Sequence, residues 1–156
     1  MNFNKTQLFF IIVLLVFLID RYFKLISNVT DFCFVACIKR SINFGAAFNL
    51  FSGLPYIMPL LIVVGLAVLS LTAFFYFKVN NINNISFNFL HIGLALLFAG
   101  TLGNTFDRLF FGYVIDFLSF TFLKLPSFNF ADVSNLAGVI LIIVALMRMD
   151  KESEKR

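Results

Sequence analysis

Charge is what this 156-residue sequence has least of: 13% of its residues are Asp, Glu, Lys or Arg, against 61% hydrophobic. Soluble domains carry about 25% charged and roughly 45–50% apolar residues, so a soluble domain is excluded and a membrane protein is indicated. Basic residues are few and unclustered, and five of the twelve Lys and Arg lie in the terminal segments. No basic face interleaved with exposed aromatics is present, which excludes a nucleic-acid partner. Cys33 and Cys37 are the only cysteines and His91 the only histidine, and a C-x3-C pair without further ligands does not make a zinc site. Two free, buried thiols are the reading taken for them. The first apolar run, residues 8–19, is followed by Asp20-Arg21-Tyr22-Phe23-Lys24 rather than a small-residue cleavage site, so it reads as a retained span and not a removed signal peptide. There is no internal repeat.

Long apolar segments are abundant. Residues 55–77 contain no charge over 23 positions, which at about 1.5 Å per residue crosses the roughly 30 Å hydrocarbon core. Four spans are expected, at about residues 8–26, 55–77, 87–106 and 133–149, in a single integral membrane domain over residues 1–156. Residues 28–54 read as a strand-rich excursion with a turn of small residues at 43–48, residues 78–84 as a polar turn, and residues 150–156 as a solvated tail. His91, beside the polar turn and away from the acids, reads as a satisfied or interfacial side chain. Four spans put both termini on one side. The Lys and Arg count ties at six a side, and the crowding of four of them into the last nine residues favours cytoplasmic termini.

Carboxylates concentrate where hydrocarbon does not explain them. Residues 100–132 hold Asp107, Asp116 and Asp132, three of the eight acids in the chain. Asp107 is followed by Arg108, and Asp20 has Arg21 beside it and Lys24 one helical turn on, so each has a cation to hold it ionised. For the pair Asp20 and Lys24, spacing leaves an interfacial anchor and a functional role equally open. Asp116 and Asp132 have no Lys or Arg within four residues. Two such acids on one segment, brought together to share a proton, would activate water as aspartic peptidases do, one ionised as base and one protonated to polarise a carbonyl. Asp132, just before the run at Val133, suits an N-cap equally well; Asp116, flanked by apolar residues, suits a functional role better.

Five blocks in order carry a family resemblance: D-x-x-x-K at 20–24, NFGAAF at 43–48, GNTFDR at 103–108, VIDF at 114–117 and FNFAD at 128–132. The chain resembles the lipoprotein signal peptidases, or signal peptidase II, over nearly its whole length. The resemblance implies an all-α membrane protein with four transmembrane helices, a small extracytoplasmic β-cradle from the first loop and a short interfacial helix at 117–125. It implies an aspartic endopeptidase of the bacterial cytoplasmic membrane, with no metal or cofactor. The reaction it implies is cleavage of prolipoproteins on the N-terminal side of a diacylglyceryl-modified cysteine. Asp116 and Asp132 fall on its catalytic blocks. Asp20, Lys24, Asn43, Asn104, Asp107, Arg108 and Asn129 resemble the residues that shape the site and hold substrate backbone and lipid headgroup. Prolipoprotein and membrane lipid are the expected partners, and a monomer is expected.

Arg21 stands where the family often has Gln, Gly100-Thr101 replaces a more usual Gly-Gly, and Asn135 occupies a position more often apolar. The 15 residues between Asp116 and Asp132 are short for the family and contain no Trp. Two rival readings are a small ion-coupled carrier, whose acids would sit at the bilayer midplane on broken helices, and a non-enzymatic assembly factor, which needs no paired acids.

Overall fold

A computed structural model describes residues 4–27, 32–33, 36–79, 85–120 and 126–153. Its elements in order are α1 (Lys5–Ile26), β1 (Phe32–Cys33), β2 (Ala36–Asn43), a 3₁₀ turn (Ala47–Asn49), α2 (Ile57–Val79), α3 (Ile85–Phe111), β3 (Val114–Phe120) and α4 (Phe130–Ser153). The helices begin and end for identifiable reasons. Asn4 opens α1 with a capping box, its Oδ1 accepting from the Gln7 amide at 2.7 Å while Gln7 Oε1 accepts from the Asn4 amide at 3.0 Å. Gly112 closes α3 in the left-handed region at φ 75°, its amide donating to the Arg108 carbonyl at 3.2 Å.

Three helices, Ile57–Val79, Asn88–Phe111 and Phe130–Lys151, are long and apolar enough to cross a membrane. Large apolar side chains point outward from α2, among them Leu60, Val63, Leu71 and Phe74. Apolar side chains facing out are what a lipid solvent selects. Between helices the driving force must instead be close packing. Accordingly α3 and α4 touch through glycines: a Cβ on Gly138 would lie 2.7 Å from the Gly93 carbonyl and the Leu97 amide.

The three strands form one antiparallel sheet in the order β1-β2-β3. This small sheet agrees with the expected excursion at 28–54, although β3 comes from beyond α3. The expected interfacial helix at 117–125 is overturned over its first four residues, because Phe117–Phe120 belong to β3; residues 121–125, like Asp31 and residues 80–84, lie outside the described residues. The strand is rich in branched and aromatic residues, and it is paired on both sides, by β2 on one and by a bridge from Leu118 to Phe128 on the other. The free-thiol reading is overturned as well: Cys33 and Cys37 are opposite each other across β1 and β2 and form a disulfide. The charged tail is helical as far as Ser153.

Candidate active site

Each element ends where it can deliver a side chain. β3 carries Asp116 into the interior, with Val114, Ile115 and Phe117 buried around it. The ring of Phe117 stacks on Phe23 of α1 at 5.7 Å and meets Phe130 of α4 edge-on at 5.4 Å, tying three elements together. The bridge at Phe128 then sets Asn129 beside Asp116 and starts α4. Asn129, not Asp132, is the N-cap of α4. Its Oδ1 accepts from the Asp132 amide at 2.9 Å, and Asp132 Oδ2 accepts from the Asn129 amide at 3.2 Å, a reciprocal box. The simple N-cap reading of Asp132 is thereby corrected.

All four carboxylate oxygens of Asp116 and Asp132 accept a hydrogen bond from a backbone or side-chain amide. Asp116 Oδ1 accepts from Asn129 Nδ2 at 2.7 Å and its Oδ2 from Asn43 Nδ2 at 3.1 Å. Asp132 Oδ1 accepts from Asn104 Nδ2 at 2.7 Å. Asn129 Nδ2 also reaches Asn104 Oδ1 at 3.2 Å, so two asparagines bridge the two acids. Asp116 and Asp132 line one cavity of about 640 Å³, together with Asn43, Asn104, Arg108 and the first half of α2 from Leu61 to Val68. Burial, and next the charge of Asp132, push the Asp116 carboxyl up to about 7, against the donors Asn43 and Asn129 and the charge of Lys24.

Asp20, Lys24 and Asp107 do not line that cavity. They form a buried cluster with Arg21, expected from the sequence as a cation for Asp20 but not as a partner of Asp107. Lys24 Nζ lies 2.7 Å from both Asp20 Oδ2 and Asp107 Oδ2, while Arg21 pairs with Asp107 and, at 3.0 Å, with Asp20. An interfacial anchor with a snorkelling lysine is therefore excluded, since Asp20 and Lys24 are both buried. Asp107 takes its cations from Arg21 and Lys24 and not from its neighbour Arg108, whose guanidinium donates to the carbonyls of Asn104 and Gly45. The two acids of this cluster also accept from the backbone. Asp20 Oδ1 takes the Ala131 amide at 3.1 Å, next to Asp132, and Asp107 Oδ2 takes the Ile115 amide at 3.2 Å, next to Asp116. A neutral set of two acids and two bases thus fixes the backbone at both cavity carboxylates.

The block at 43–48 forms part of the cavity wall. Asn43 Oδ1 accepts from the Gly45 amide and its Nδ2 also reaches the Ala46 carbonyl, so Ala46 and Ala47 face the cavity. A Cβ at Gly45 would meet the Leu50 carbonyl at 2.2 Å, so this turn admits no larger residue without rearrangement. His91 lies elsewhere, edge-on to Tyr76 and lining a smaller cavity of about 270 Å³ that holds no carboxylate.

These features define a multi-pass helical membrane protein with a two-carboxylate cavity at one end of its bundle. The family model for signal peptidase II matches residues 12–148, and the chain belongs to that family. It is 32% identical over 153 residues to the lipoprotein signal peptidase of Halothermothrix orenii, covering 91% of this chain and 97% of that one. With the lipoprotein signal peptidase of Chlamydia pneumoniae it shares 36% identity over 116 residues, covering 73% of this chain and 66% of the relative. A solved structure described as a bacterial membrane enzyme determined in meso at 2.3 Å superposes with TM-score 0.79 at 31% identity, covering 95% of this chain and 91% of that chain.

Proposed function

We propose that this chain is an aspartic endopeptidase that removes signal peptides from prolipoproteins on the N-terminal side of the diacylglyceryl-modified cysteine. The observation that carries the reading is that Asp116 and Asp132 line one cavity, and that Asp116 is pushed up to about 7. With Asp116 raised and Asp132 in the same cavity, the pair shares one proton at neutral pH. The ionised carboxylate takes a proton from water, whose oxygen attacks the scissile carbonyl carbon. The protonated carboxyl gives its proton to the carbonyl oxygen, producing a neutral tetrahedral diol. The first carboxyl then returns its proton to the amide nitrogen while the second carboxylate takes one from a diol hydroxyl. The C–N bond breaks, leaving a carboxylic acid and the free amine of the cysteine, with one water consumed and the shared proton restored.

Arg108, beside the acids, suits the placing of substrate backbone, while Asn43 and Asn104 shape the site by holding the two carboxylates. Asp20, Lys24 and Asp107 act through the backbone they anchor. A site at one end of an apolar bundle lets a lipid-bearing cysteine and an apolar signal helix remain in hydrocarbon while water reaches the amide. In this reading α1 is a fourth span, the enzyme works as a monomer in the bacterial cytoplasmic membrane, the cavity faces outward and the termini are cytoplasmic.

The test is cleavage of a purified diacylglyceryl-modified prolipoprotein in detergent, followed as a gel shift, with an unlipidated control. Asp116→Asn and Asp132→Asn should each lose turnover while remaining folded. Normal cleavage by either variant overturns the dyad.

A further inference from the structure

Two departures in the sequence, Thr101 and Asn135, meet in space. Thr101 Oγ1 donates to Asn135 Oδ1 at 3.2 Å, between α3 and α4. The contact repeats, three residues along each helix, the bond between Asn104 and Asp132. Asn135 therefore sits about 4.5 Å further along α4 from the acid end than Asp132, since three residues rise that far. Both Thr101 and Asn135 line the cavity of the two acids.

Asn135 is held by its oxygen. A Cβ at Gly100 would lie 2.6 Å from Asn135 Oδ1, so the oxygen is packed against α3 and bonded to Thr101. That leaves Nδ2, which has no acceptor among the described residues. The cavity amides of Asn43 and Asn104 are by contrast spent on the carboxylates. Asn135 is half-buried in the cavity wall, so its Nδ2 stands open to a group that enters the cavity.

Resting on the peptidase reading above, we infer that Asn135 is a substrate-positioning residue: its amide donates to a main-chain carbonyl on the signal-peptide side of the scissile bond. A signal helix that enters the cavity must open near the cleaved amide, and its last carbonyls then lack intrahelical partners. A fixed amide in the cavity wall can donate to one of them. Asn135 lies deeper than the acids, on the side from which the signal helix arrives. Apolar signal residues offer no side-chain acceptor, so the backbone carbonyl is the group recognised. Thr101 orients the amide.

The test is steady-state kinetics of the full chain in detergent with a lipidated prolipoprotein, using Asn135→Leu, the near-isosteric Thr101→Val and the double variant. Asn135→Leu should raise KM about five- to tenfold, the loss of one neutral hydrogen bond, with kcat within about twofold. Thr101→Val should raise KM less, and the double variant should be no worse than Asn135→Leu alone, because both act through one amide. Melting in the same detergent checks that each variant is folded. An unchanged KM in folded Asn135→Leu overturns the inference, as does a fall in kcat at constant KM, which would mean the residue serves Asp132 instead. Failure of the wild type to cleave overturns the parent reading and the subsite with it.

Discussion

Asp116 is buried and faces a second carboxylate, and both facts favour its neutral form. An ordinary aspartate ionises near 3.8 when the chain is unfolded, whereas here the folded carboxyl holds its proton up to about 7. Between those values the folded state binds more protons than the unfolded one, so raising the pH removes stability across that window. The melting temperature of the wild type should therefore fall more between about pH 4 and 7 than that of Asp116→Asn, and parallel slopes would show that Asp116 is not the group responsible. Proteolysis should fall off above about pH 7, as the shared proton is lost. The ion cluster behaves differently, because its charges compensate one another. Asp107→Asn leaves Arg21 and Lys24 to share Asp20, and an uncompensated buried cation costs about 3–5 kcal/mol. A large drop in melting temperature is expected, and an unchanged melt would mean that the cluster contributes no net stability.

Helices α3 and α4 form the main packed seam, and their glycines permit it. At Gly138 the obstructing atoms are backbone, the Gly93 carbonyl and the Leu97 amide, both 2.7 Å from an added Cβ. Gly138→Val should therefore separate the helices and lower the melting temperature, by an overpacking cost of about 1–3 kcal/mol or more. Lipid-facing Ile140→Val serves as the control and should barely move it. Much of this architecture was legible in the sequence. Long apolar runs located α2 to α4, and the lack of local cations, shared by Asp31 in its polar stretch, pointed to Asp116 and Asp132. What escaped was set by tertiary partners. The apolar stretch at Phe117 satisfies strand and helix patterns alike, and only pairing with β2 and Phe128 decides it. The partnership of Arg21 with Asp107 spans 86 residues, and Asn129 displaces Asp132 as the cap because Phe128 is drawn onto β3.

At the scale of the molecule, the two ends of the bundle differ in chemistry. One holds the cavity and the ion cluster, made by the end of α1, the first half of α2, the end of α3 and the start of α4. The other joins Tyr76 to the Lys5 carbonyl at 2.6 Å and stacks Arg148 over Phe89 at 4.6 Å, so both terminal segments lie there. In the proposed orientation the acid end faces outward and the terminal end faces the cytoplasm. The crowding of four Lys and Arg into the last nine residues favours that orientation, and labelling tests it. Gly53 has open space around it, and the native cysteines are paired, so single cysteines introduced at chosen sites report cleanly. In spheroplasts, a membrane-impermeant maleimide should label Gly53→Cys at once and Ser153→Cys only after permeabilisation. The reverse pattern would put the acid cavity on the cytoplasmic face, where an exported prolipoprotein's cysteine would not meet it.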